Sequence, residues 1–425
     1  MGVFGVDVLG ARRGRAAQAL AGEGGLVLIG AGRPIPKPGG LDQTYPFRPH
    51  PEYFWLTGSR RWGGVLAFEP GEGWVHFVRP VSDEERLWEG AVGGVDGEDV
   101  ANLPAWLKAR AGKRLAILGS AIEGVEGDGE LAVALRECLD ALRRPKDAAE
   151  LELLARAVAA TAAGHAKARE VIRPGASERQ IQVELEAEMF RQGADAVAFG
   201  TIVGVGSNAA VLHFQPGGRT VHPGDLVLVD AGGEVAGYAG DVTRTYPAGD
   251  RFTAKQQALY DLVLAAEGAA IAKCQIGTEW RDVHRAAAGV LALGLRDLGI
   301  LRGEVEGLLD SEAIALFFPH GVGHMVGLGV RDVGGRAPGR GEVQRYCGAR
   351  LRVDLPLEEG FQMTVEPGLY FVPALLDNPA RREQFRQAVD WDVLESWRSV
   401  GGVRIEDNVL VTATGPQVTT RAIPK

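Results

Sequence analysis

The sequence predicts two domains, a smaller α/β domain over residues 1–145 and a larger α+β domain over 146–425. Three observations lead there. Short apolar runs alternate with helical stretches in the first part. A proline flanked by charges, LRRPKD at 142–147, then breaks the pattern. Beyond it, helix pairs alternate with strand-rich stretches, which suggests a duplicated half-domain.

In the first domain, GGLVLIGAG at 24–32 reads as a buried strand ending in a Gly-Pro turn region. GGVLAF, WVHFVRP and RLAILGSAI are further strands. The glycine clusters here are too loosely spaced for a dinucleotide-binding turn. The second domain opens with a long helical stretch, AAELELLARAVAATAAGHAKAREVI, which stops at Pro174-Gly175. Ser177 and Gln180 form a capping-box pattern for the next helix, in which Ile181, Leu185 and Met189 share a face and Gly193 suits the stop. Thr253 and Gln256 repeat that signature, and a fourth helix spans roughly Glu279 to Leu298. The strand-rich stretches are FGTIVGVGSNAAVLHF, DLVLVDAGGEVAGYAGDVTRTYP, FFPHGVGHMVGLGV, FQMTVEPGLYFVP and GGVRIEDNVLVT.

Bulk properties narrow the function. With 46% hydrophobic and 24% charged residues, the 425-residue chain has the balance of a soluble globular protein. A formal net charge of −9 argues against nucleic acid or an anionic membrane as the main partner. Cys138, Cys274 and Cys347 lie far apart, which suits a reducing compartment and no cysteine zinc site. The N-terminal segment lacks the apolar core of a signal peptide, and Val6 stands where a myristoylation signal has Ser or Thr. No apolar run reaches the roughly 18 residues of a membrane helix. A cytoplasmic location is expected.

Five residues stand out chemically. LVLVD is an apolar strand running into Asp230, Ala231-Gly232-Gly233 turns the chain, and a second strand carries Asp241. A hairpin brings these carboxylates together, and paired anions invite a cation, although Asp beside Gly is also ordinary turn chemistry. His320 and His324, four apart in PHGVGHMVGLGVRDVGG, share a face, and there is no HExxH zinc helix. Glu366 ends the strand FQMTVE, and Glu406 sits among Val and Ile in VRIEDNVLV, where an unpaired carboxylate is costly. Arg404 and Arg244 are alternative ion-pair partners for Glu406 and Asp241. Taken together, four acids and one imidazole suit Mn, Co, Fe or Zn. Two cations about 3.5–4 Å apart can share a hydroxide that attacks a carbonyl carbon.

VDAGGEVAGYAGDVTRTYP, FPHGVGHMVGLGVRDVG, TVEPGLY and GGVRIEDNVLVT resemble, in order, the metal-site motifs of the pita-bread metallopeptidases, the family of aminopeptidase P and prolidase. LDQTYPFRPHPEYFWLTG is similar to the tyrosine-rich stretch of that family's creatinase-like N-terminal domain. The resemblance implies a pita-bread catalytic domain holding two divalent metal ions, manganese first and zinc or cobalt as alternatives. Asp230, Asp241, His324, Glu366 and Glu406 are then the ligands, with Asp241 and Glu406 bridging and Glu366 also shuttling the proton. It implies that His213 contacts the substrate near the scissile bond, that His320 lines the pocket, and that Tyr370 and Arg404 support the site. Arg48 and Asp42 reach a pocket in this reading. The expected substrates are short peptides of Xaa-Pro type, and the expected assembly is a homodimer or homotetramer.

Two departures from the family pattern matter. The usual V-H-D-V-G reads V-R-D-V-G here, so Arg331 replaces a histidine. Arginine donates to an oxyanion or grips a carboxylate but does not exchange protons near neutrality. This opens an alternative, dipeptidase or carboxypeptidase activity without a strict proline requirement. The stretch 371–400 is long, with a helical insertion beside the pocket mouth or a surface excursion as its two readings. A non-catalytic binding protein of the same fold is the third possibility, disfavoured because all five ligand positions are filled.

Overall fold

The computed structural model describes residues 3–90, 95–337, 339–341 and 345–425, and the Met1-Gly2 opening lies outside them. The chain separates into two compact units, Met1–Arg143 and Arg144–Lys425.

The first unit is built on a five-stranded mixed sheet in the order Glu98–Asp99, Gly73–Val78, Val65–Glu69, Leu26–Gly30, Leu115–Gly119. The Leu26–Gly30 strand is buried along its whole length because it is interior to the sheet, antiparallel to Val65–Glu69 and parallel to Leu115–Gly119. The helix Gly129–Arg143 buries Leu131, Leu135 and Leu139, one apolar stripe at four-residue spacing.

In the second unit, the helix Ala148–Val171 packs on Glu178–Arg191, and Ala254–Lys273 packs on Trp280–Asp297. The pairs begin as the caps require. Thr253 and Gln256 satisfy each other's backbone donors in a complete capping box. At Ser177 only half of the expected box forms: its hydroxyl accepts from the Gln180 amide. An unpredicted complete box, Asp147 with Glu150, starts the long helix at the proline break. Ile181, Leu185 and Met189 are buried on one face as the periodicity predicts.

Of the sheets in this unit, two antiparallel three-stranded ones frame the site. One orders Val242–Pro247, Leu226–Ala231, Ile202–Val205, and the other Gln362–Val365, Asp407–Thr412, Gly415–Val418. Three expectations change. The run 317–330 forms no regular strand; it lies along Gln362–Val365 through single bonds, Thr364 N–H to His324 O and Val326 N–H to Gln362 O. Glu406 is not inside a strand but in a break between Gly402–Arg404 and Asp407–Thr412, where its amide donates to Thr243 O. The stretch 371–400 holds three short helices, and Leu376, Phe385, Val389 and Leu394 join the main core. None of its residues lines the cavity described next. Among the described residues, no helix is long and apolar enough to cross a membrane.

Candidate metal centre

The apolar strand Leu226–Ala231 delivers Asp230 opposite Thr243 of the neighbouring strand. The chain does not turn at Ala231-Gly232-Gly233 as the sequence suggests: it runs on into Gly233–Val235 and reverses at Ala236-Gly237, both at positive φ. At Gly232 any Cβ would lie 1.8 Å from Gly240 O, so a side chain there is excluded. Asp241 then stands just ahead of Val242–Pro247, at the same end of the sheet as Asp230. Asn408 fixes its backbone by accepting from the Asp241 amide at 3.2 Å and donating to its carbonyl at 2.6 Å.

Segments bordering the second sheet supply the other groups. His324 donates from Nδ1 to Met325 O at 2.9 Å, which leaves Nε2 unprotonated and available as a ligand. That nitrogen is 3.5 Å from Asp241 Oδ2 and 3.6 Å from Glu366 Oε1. Glu366 follows directly on the strand Gln362–Val365. Glu406 Oε2 accepts from Thr243 Oγ1 at 2.7 Å. Asp241, His324 and Glu406 each offer a ligand atom within 4.8 Å of the others. All five predicted residues line one cavity of about 890 Å³.

The electrostatics fit cations in this cavity. Burial, then Asp230 and Glu366, push the Asp241 carboxyl well above its ordinary range. Burial, then Asp241 and Glu366, do the same to Glu406. Glu366 rises to about 7, chiefly through burial and partly offset by Arg404. His324 falls to about 4 because burial disfavours its cation. Asp230 Oδ1 is buried and accepts no hydrogen bond. Four crowded acids, one of them with an orphaned oxygen, and a neutral imidazole make a donor set suited to divalent cations.

The surrounding residues divide by role. Arg404 is not the partner of Glu406. It donates from Nη2 to Asp230 Oδ2 at 2.6 Å, from Nη1 to the Tyr370 hydroxyl at 2.8 Å and from Nε to Thr243 Oγ1 at 3.0 Å. Arg244 pairs with Asp407 at 2.7 Å, leaving Asp241 without it. His213, His320, Arg331 and Arg404 line the cavity. Tyr370 does not; it is fully buried behind the wall and holds His320 Nε2 at 2.9 Å. Since His320 Nδ1 bonds Gly321 O at 2.8 Å, both ring nitrogens of His320 are engaged. Arg48 and Asp42 belong to the first unit, exposed in the chain ahead of the helix Pro51–Thr57.

Sequence reasoning missed Thr243, Thr364 and Asn408, which hold the ligands, and Arg350 and Arg352, which line the cavity. The hydroxyls left one signal, polar residues at buried strand positions in DVTRTYP and FQMTVE.

Comparison with known proteins agrees with this geometry. Residues 152–413 match the model of metallopeptidase family M24, and residues 10–100 match that of the aminopeptidase P N-terminal domain. The Xaa-Pro aminopeptidase of Haemophilus influenzae is 34% identical over 411 residues, covering 90% of this chain and 87% of that protein. A probable Xaa-Pro aminopeptidase of Botryotinia fuckeliana is 30% identical over 389 residues, covering 88% and 84%. The structure of E. coli aminopeptidase P with the inhibitor Pro-Leu superposes with a TM-score of 0.81 at 28% identity, covering 99% of this chain and 96% of that one. A zinc-substituted form of the E. coli enzyme in complex with product gives 0.81 at 27% identity, with the same coverage.

Proposed function

The chain belongs to metallopeptidase family M24, and from that premise we propose that it hydrolyses short peptides of Xaa-Pro type as an aminopeptidase. Residues 146–425 form the catalytic domain in this reading and 1–145 the N-terminal one. The observation that carries it is the convergence of Asp230, Asp241, His324, Glu366 and Glu406 on one cavity. These five would hold two divalent cations, manganese first and zinc or cobalt as alternatives. When bound, the cations supply Lewis acidity that polarises the scissile carbonyl and makes water a nucleophile at neutral pH.

The chain's own groups do the rest. The Glu366 carboxylate, at the wall of the cavity, would take the proton of the attacking water and return it to the departing amine. His213, at the cavity wall, is kept neutral by burial and by Arg331 and Arg404, so it offers a hydrogen bond to the peptide near the scissile bond. His320 presents its ring rather than a nitrogen, since both nitrogens are engaged. Arg404 and Tyr370 orient Asp230 and His320 from behind.

A second reading rests on Arg331, which lines the cavity with no acidic partner among the described residues. If Arg331 grips the substrate's terminal carboxylate, the activity becomes that of a dipeptidase or carboxypeptidase without a strict proline requirement. One panel separates the readings: Xaa-Pro, Xaa-Pro-Yaa and proline-free peptides with free or amidated C-termini, incubated with metal-loaded protein. Cleavage confined to proline peptides and indifferent to amidation supports the first. Loss of cleavage on amidation supports the second. A purified chain that binds no transition metal and cuts no peptide in the panel would overturn both.

The three free cysteines and the negative charge support a cytoplasmic protein that binds neither nucleic acid nor membrane. A homodimer or homotetramer follows from the family resemblance, and light scattering would measure it.

A further inference from the structure

The cavity that holds the acids also holds an excess of cations. Five arginines line it. Arg404 is tied to Asp230, and Arg179 donates to Gln182 Oε1 at 2.6 Å. The other three, Arg331, Arg350 and Arg352, have no carboxylate partner among the described residues. Arg350 ends the short strand Ala349–Arg350, Arg352 lies at a bend two residues on, and both line the cavity while Leu351 between them is buried. Arg331 comes from a separate loop, and it is near enough to help hold the Arg352 guanidinium below its ordinary range, after burial.

The Arg331 loop is braced from beneath. The neighbouring Asp332 accepts from Lys146 Nζ at 2.9 Å and from the Leu328 amide at 3.0 Å, and both side chains of that ion pair are buried. Arg144 Nε donates to Gly334 O at 2.9 Å, further along the same loop. A braced loop spares binding the cost of ordering the backbone that carries the guanidinium, which suits recognition.

Charge arithmetic indicates what is recognised. Four carboxylates against two divalent cations cancel, so the acids of the centre are not available to the three arginines. A short neutral peptide brings one carboxylate, its C-terminus, and leaves two guanidiniums unmatched. We propose that Arg331, Arg350 and Arg352 form a subsite for an acidic side chain on the residue following proline, so that peptides with Asp or Glu there are the preferred substrates. Such a side chain places a second carboxylate among planar, bidentate donors. This rests on the peptidase reading above and adds the substrate class.

The test uses the full metal-loaded chain with Ala-Pro-Glu and its neutral isostere Ala-Pro-Gln. The expected KM is about tenfold lower for the acidic peptide, with similar kcat, as charge-assisted contacts made in ground and transition state alike require. The difference should shrink as salt is raised and should be largely lost in Arg331→Gln or Arg350→Gln. Calorimetric binding of Pro-Glu and Pro-Gln gives a readout that does not need turnover. If neither tripeptide is cut, the peptidase reading fails, yet tighter binding of Pro-Glu than Pro-Gln would still support the subsite. Equal KM values and equal affinities in the unaltered chain, or a preference that survives in both variants, would overturn it.

Discussion

Arg404 holds three groups at once, Asp230, Tyr370 and Thr243, and Thr243 in turn holds Glu406. One planar fork therefore sets the direction of two predicted metal ligands. Arg404→Lys keeps the charge but cannot make three divergent bonds. Metal affinity should fall about 10–100-fold, as for other residues that orient ligands, measured against a competing chelator. Unchanged affinity would show that the ligands are held without it. The five candidate ligands were legible through the order of the family's motifs more than singly, since Asp beside Gly is also turn chemistry and Glu406 reads as a residue inside a strand. The partners were not: sequence proximity offered Arg404 to Glu406 and Arg244 to Asp241, whereas the fold gives them Asp230 and Asp407. Which strands lie side by side decides such pairs, and that is a non-local fact.

At the scale of elements, the proline break does more than separate domains. Lys146 from that break reaches the loop carrying Arg331, and Gly327 has no room for a side chain because its Cβ would meet Asp332 Oδ2 at 2.3 Å and Lys146 Cε at 2.6 Å. Lys146→Met leaves a buried carboxylate without this cation, and the expected loss is about 3–5 kcal/mol of stability, read from the denaturant midpoint. The paired change Lys146→Met with Asp332→Asn should cost less, since the two charges of this pair are removed together. Equal loss in both would mean the ion pair is not what braces the loop. Helices were the legible elements, because 3.6-residue periodicity and caps are written locally, as at Thr253 and Gln256. The run 317–330 read as strand, yet it makes only scattered bonds to Gln362–Val365, because glycines at 321, 323, 327 and 329 serve close approach rather than a continuous ladder. From sequence, 371–400 admits a helical insertion or a surface excursion; it forms short helices, and seven of its apolar residues, from Phe371 to Val400, join the core.

For the molecule as a whole, buried neutral histidines set a limit on acid stability. His284, fully buried and bonded to Tyr346 O, is pushed down to about 4 by burial. Its folded value lies below the unfolded value of about 6.5, so the unfolded chain binds the extra proton between those values. The contribution is fully present above about pH 6.5 and is lost progressively as pH falls toward 4, of order 3 kcal/mol in all. Denaturant midpoints at pH 7.5 and 5 should show a smaller pH dependence in His284→Gln than in the unaltered chain. An identical dependence would mean this histidine is not protonated on unfolding.

The metal centre should also set stability, for a reason separate from catalysis. Folding gathers Asp230, Asp241, Glu366 and Glu406 around one cavity, and their mutual repulsion disfavours the folded chain unless cations offset it. Ions that bind the folded chain and not the unfolded one stabilise it by about 2.7 kcal/mol at a free concentration one hundred times Kd. Chelation should therefore lower the Tm, and adding back manganese, zinc or cobalt should restore it. In Asp241→Asn one repelling charge is gone along with one ligand, so the stripped protein should melt higher than the stripped unaltered chain, while the gain on adding metal shrinks. Repulsion alone would produce the first effect and ligation alone the second. Both together require that the same carboxylate which destabilises the empty site is one that grips the ion, and a Tm indifferent to metal in both proteins would remove the physical reason for bringing these acids together.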